Sequence, residues 1–147
     1  MSRKAKRSSG SYNRTTGTKE ITKSSSAAYL MASFAHLQED STYKNSQSFE
    51  DWEREGLLSK LMVKIKHINQ LTLREAMAQK IVAEYKSFPA HSHFSCPKLF
   101  KTVTRWGVIK NIGGQKPRVA GFFEDNIFQC VFLDKDHHFY PTNKRNT

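Results

Sequence analysis

Apolar positions in this 147-residue chain fall into three regimes. Residues 1–26 hold almost none. From Phe49 to Tyr85 apolar side chains recur every three or four residues, and from Thr102 to Leu133 they form β-branched and aromatic runs broken by Gly, Pro, Asn and Asp. The middle regime predicts two helices. Leu57, Leu58, Leu61, Met62, Ile65 and Ile68 line one stripe; Leu73, Met77, Ile81 and Tyr85 line the other. Ser48 with Asp51, and Thr72 with Glu75, stand at capping-box spacing, and Phe88-Pro89 closes the second helix. The short link between the helices predicts an antiparallel hairpin.

The last regime predicts three antiparallel strands, near 102–112, 118–123 and 127–133. Gly113-Gly114 opens the first connection, and Glu124-Asp125-Asn126 makes the second a tight turn. Residues 28–37 fit a short helix. They equally fit a strand with Tyr29, Met31, Ser33 and Ala35 on one face. The polar stretch after Leu37 and the segment from Ala90 to Phe100, held between Pro89 and Pro97, read as loops. The fold class is α+β: a helix hairpin on one face of a small antiparallel sheet, with the other face partly open.

Composition refines this picture. At 37% hydrophobic and 12% aromatic residues the chain can bury one core, so residues 27–147 are expected to form one domain after a disordered arm, 1–26. No apolar run approaches the roughly 18 residues of a membrane span, and no apolar segment follows the basic start as a secretory signal requires. A cytoplasmic protein without a membrane partner is the expectation. The net charge is +11. The arm carries seven basic residues (Arg3, Lys4, Lys6, Arg7, Arg14, Lys19, Lys23) against Glu20, which leaves +5 for the domain. Such an excess favours polyanions, nucleic acid above all, through counterion release. The arm is either a solvated extension or a segment that tracks nucleic acid. Two cysteines, Cys96 and Cys130, do not make a disulfide framework. His91, His93 and Cys96 lack the second pair that a zinc site needs, and the two histidines read as surface-loop residues.

The chemistry concentrates in residues 106–141, WGVIKNIGGQKPRVAGFFEDNIFQCVFLDKDHHFYP. Arg118 opens the middle strand. Pairing across the tight turn sets it against the low 130s, so His137 and His138 fall just past that end of the ladder. Lys110, Lys116 and Arg105 add charge on the neighbouring strand and turn. An arginine can clamp a phosphate bidentately, and a histidine can act as general acid or base. RNA supplies its own nucleophile, the 2′-hydroxyl, so neither a metal nor a cofactor is required. Arg118 can instead pair with Asp134 or Asp136. His137 and His138 point to opposite sides of a continuing strand, so one of the two is the candidate, with His138 preferred. Tyr140 either stacks on a base or packs on the core.

An edge strand, a helix hairpin and a three-stranded antiparallel sheet, with an arginine entering the middle strand and a His/Tyr pair after the last, resemble the RelE/ParE toxin superfamily over residues 28–141. The most telling piece is GGQKPRVAGFFEDNIFQCVFLDKDHHFYP. The resemblance implies that 28–37 is the first strand. It also implies that Arg118 contacts the scissile phosphate, His138 serves as base or acid, and Tyr140 positions a nucleotide. By the same resemblance the chain is a small ribonuclease-type toxin or defence protein, cutting messenger RNA on the ribosome and neutralised by an antitoxin protein. The alternatives are a non-catalytic nucleic-acid- or ribosome-binding module and a toxin-like inhibitor of another enzyme.

Overall fold

A computed structural model describes residues 28–40 and 45–141; the basic arm, with Arg3, Lys4, Lys6 and Arg7, lies outside the described residues. Within them the order is β1 (Met31–Ser33), α1 (Phe49–Arg54), α2 (Leu58–Ile68), α3 (Leu73–Ala78), β2 (Val82–Glu84), a 3-10 turn (Lys98–Phe100), β3 (Trp106–Ile109), β4 (Arg118–Glu124) and β5 (Ile127–Asp134). The strands make one five-stranded sheet in the order β1-β5-β4-β3-β2. β1 runs parallel to β5 and all other pairs are antiparallel. The architecture is α+β with a mixed sheet, not a purely antiparallel one. Residues 31–33 take the strand alternative.

Both capping boxes form. The Ser48 hydroxyl accepts the Asp51 N–H at 3.0 Å while the Asp51 carboxylate accepts the Ser48 N–H at 2.9 Å. Thr72 and Glu75 exchange the same bonds at 3.1 and 2.9 Å. The two-helix hairpin, however, is a three-helix layer. The first expected helix breaks at Gly56, whose φ of +72° interrupts the α backbone between α1 and α2. The second stops at Ala78 rather than reaching Phe88. Lys80 turns the chain at φ 61°, and the β-branched run from Ile81 then leaves the helical stripe to pair with β3. Ile81 and Tyr85 thus flank a strand. The expected strand at 102–112 shrinks to 106–109, because the 3-10 turn and the loop after it occupy the preceding residues.

The sheet carries a packed layer on each face. On one, Trp52, Leu61, Ile68 and Ala76 of the helices meet Ile109, Val119, Phe128, Cys130 and Leu133. On the other, expected to be partly open, residues 86–105 fold across the sheet. Phe94 and Phe100 pack there with Trp106, Phe122, Phe132 and Phe139. Ten phenylalanines in the chain made a second aromatic layer affordable. No described helix is long and apolar enough to cross a membrane.

The two thiols report this layering. Cys130 is fully buried, and burial pushes its thiol far above the ordinary range; Cys96 is half-buried and is raised by burial against the pull of Lys101. A maleimide or disulfide reagent is expected to label Cys96 slowly and Cys130 not at all in the native protein, and both after denaturation. Two fast native thiols would contradict the packing.

Candidate functional site

β4 begins at Arg118, β5 ends at Asp134, and the two are register partners. One extra residue produces that pairing. Glu124 faces Ile127 and Gly121 faces Cys130, but Ala120 faces Phe132, so Val131 is bulged out of β5. Its carbonyl accepts the Gln38 N–H at 2.8 Å. An unbroken ladder from the same turn would set Leu133 against Arg118. The bulge also reverses the side-chain alternation. Phe128 and Cys130 face the helices, whereas Phe132 joins the aromatic layer and Leu133 returns to the helix side. Asp134 therefore lies on the aromatic face with Arg118.

The Asp134 carboxylate is fully buried and accepts the backbone N–H of His138 at 2.9 Å and of Phe139 at 2.8 Å. These charge-assisted bonds fold residues 135–139 back over the sheet end. Phe139 is drawn wholly into the aromatic layer, its ring 5.1 Å from that of Phe88. His137, between Asp134 and the two N–H groups it holds, takes φ 64°, a left-handed conformation that histidine adopts more readily than most residues.

Arg118 is only 7% exposed. Its Nε donates to the Lys116 carbonyl at 3.1 Å and its Nη2 to the Gln115 carbonyl at 2.6 Å. Neither expected ion-pair partner takes it: Asp134 holds the loop, and Asp136 pairs with Lys135 at 3.2 Å. Burial pulls the Arg118 value down, and Tyr85 and Asp134 push it up; the group stays cationic. Tyr85 is raised, by burial first, with Arg118 opposing and Tyr140 adding. His137 is lowered, by burial and then by Arg118, with Asp134 opposing and His138 and Lys116 adding. Burial and the neighbouring cations both favour its neutral imidazole.

The histidines diverge. His137 lies in the field of Arg118. His138 turns toward the segment covering the sheet: its ring centroid is 4.4 Å from that of His93, whose N–H donates to the His138 carbonyl at 3.0 Å. Tyr140 remains 46% exposed, and its ring lies 4.5 Å from that of Tyr85. Beside this pair is a cleft of about 370 Å³ walled by Tyr85, Lys86, Pro89, His91, Tyr140 and Pro141. Lys110 and Lys116 stand at the same sheet end as Arg118. Arg105 does not. It lies at the other end of the ladder, bonded to Glu84 at 2.9 Å and over the Phe123 ring.

Sequence reasoning missed three contributors. Tyr85 continues a helical spacing, although the β-branched Ile81-Val82 before it carries a strand signal. Asp134 reads in the sequence as a charge partner, although an aspartate shortly before a chain reversal is a ready acceptor for backbone N–H groups. His93 carried no signal, since its contact with His138 spans a long loop. Among the described residues, no three His, Cys, Asp or Glu side chains form a group able to hold a metal. No protein-family model, curated protein or solved structure matches the chain.

Proposed function

We propose that this protein is a RelE-like ribonuclease that cuts RNA by using the 2′-hydroxyl as nucleophile, in the manner of a toxin held in check by an antitoxin and directed at ribosome-bound messenger RNA. The reading is supported by a first strand lying parallel beside the last strand of an antiparallel meander, with helices on one face and the charged groups at one strand end of the other. The observation that carries it is the chain reversal held by Asp134, which sets His137 at the sheet end where Arg118 opens β4; burial and the guanidinium there both lower the His137 pKa. Neutral imidazole is the form that accepts a proton.

In this reading His137 takes over the base role first given to His138. It removes the 2′-hydroxyl proton, the freed oxygen attacks the adjacent phosphorus, and the 5′-oxygen departs with a proton from solvent, leaving a 2′,3′-cyclic phosphate. Tyr85 and Tyr140, whose rings touch, form one stacking wall for a base in the cleft, with Lys86 and His91 at its rim. Arg118, bonded to two carbonyls, acts mainly through its charge.

Induced expression is expected to arrest growth, with His137→Ala relieving the arrest while His138→Ala retains most of it. With purified protein, cleavage of labelled RNA or of translated message should persist as pH falls through the ordinary histidine range, and fade only below it. By the same linkage His137 binds fewer protons folded than unfolded in that range, so its contribution to stability declines as pH falls. An NMR titration placing its midpoint at or above the ordinary histidine value would remove the basis for the assignment. The engagement of Arg118 by Gln115 and Lys116 favours one second reading, an RNA-binding module without catalysis. RNA bound but uncut by the wild type, with His137→Ala unchanged, would select it.

A further inference from the structure

The antiparallel ladder separates charge along its length. Start of β2, end of β3, start of β4 and end of β5 share one end of the sheet. Lys80, Lys110 and Lys116 gather there, with Lys110 across the ladder from Ile81, whose carbonyl accepts its N–H at 2.7 Å. A helix adds to them. The methylenes of Lys60 on α2 lie directly over Gly113, which brings its ammonium to the β3–β4 connection. The acids here are engaged: Asp134 is buried under the loop and Asp136 is paired with Lys135. The four lysines form no ion pair with any described residue. The opposite end carries Glu84, Glu124 and Asp125 against Arg105.

We infer that Lys60, Lys80, Lys110 and Lys116 form the surface on which an RNA backbone lies, leading the strand toward His137. The inference rests on the ribonuclease reading and adds the route by which the substrate arrives. Unpaired ammonium groups on one rim, with carboxylates at the far rim, orient a polyanion as well as attract it. Arg118 donates to the Lys116 carbonyl and is the register partner of Asp134, three residues before His137, so the basic rim leads to the proposed base. RNA is favoured over an acidic protein because the β3–β4 connection that carries Lys116 is bonded to Arg118, the guanidinium at the proposed cleavage site.

The test measures fluorescence anisotropy of a labelled single-stranded RNA of about 20 nucleotides against full-length protein over a salt series. Lys60→Glu with Lys110→Glu should weaken binding on the order of tenfold and make the log–log salt slope shallower by about 1–2. Lys80→Glu with Lys116→Glu, a second pair on other elements, should do the same. A control of equal charge change, Lys98→Glu with Lys101→Glu, should cost far less. Equal weakening by control and rim variants would overturn the surface in favour of diffuse net charge. Displacement of the RNA by polyglutamate at equal charge concentration would overturn it in favour of an acidic protein. Unchanged binding by both rim pairs would overturn this surface and leave the ribonuclease reading standing. A wild type that binds no RNA would end both.

Discussion

Asp134→Ala is expected to cost ~3–5 kcal/mol of folding stability, because it strips a charged acceptor from two buried backbone donors. The His138 and Phe139 N–H groups would be left unpaired against the aromatic layer. Residues 135–139 would then lose their return path over the sheet, His137 its left-handed setting, and Tyr140 its place against Tyr85. Asp134→Asn separates the parts of this effect. An amide oxygen can accept one of the two bonds, so an intermediate loss is expected. Chemical denaturation of the three proteins measures the ladder of stabilities. A melting midpoint for Asp134→Ala within error of wild type would show that the carboxylate does not hold the loop.

Gly121→Ala is expected to be as damaging, at about 4 kcal/mol or more, through overpacking against backbone rather than against a yielding side chain. A Cβ at this position would drive into the Gln129 carbonyl, with the Cys130 Cα close behind. The chain can relieve that collision only by opening β4 from β5 at the bulge. Opening there removes the shift that sets Asp134 opposite Arg118, so function should fail along with stability. Denaturation by urea, with cleavage or RNA binding at a temperature where the variant stays folded, checks both effects. A variant as stable as wild type would mean that the two strands do not approach this closely.

Much of the scaffold could be read from residue order. The two capping boxes, the apolar stripe of α2, the tight turn at Asp125 and the three strands of the meander are local patterns; each appears, although β3 is shorter than its apolar run and Met62 of the stripe is exposed. The errors have a common origin. Ile81 and Tyr85 continue the spacing of α3 and equally suit a strand; the free edge of β3 settled which, since pairing there satisfies backbone groups that a longer helix would have left exposed. The face taken to be open is covered because Phe88, Phe94 and Phe100, unremarkable within a loop, have an aromatic sheet to lie on.

The candidate site divides in the same way. Which chemical groups are present, and that Arg118 and the paired histidines fall near one end of one hairpin, follows from composition and the turn between them. Which histidine turns away to stack on His93, and which stays in the field of the guanidinium, does not. That depends on a single bulged residue at Val131, whose carbonyl is taken by Gln38 from far along the chain, and on a buried carboxylate that reverses the backbone after β5. Side-chain direction in a strand alternates at every step, so one inserted residue changes the face of everything beyond it. Short-range pattern can name the cast of this site, but long-range pairing assigns the places.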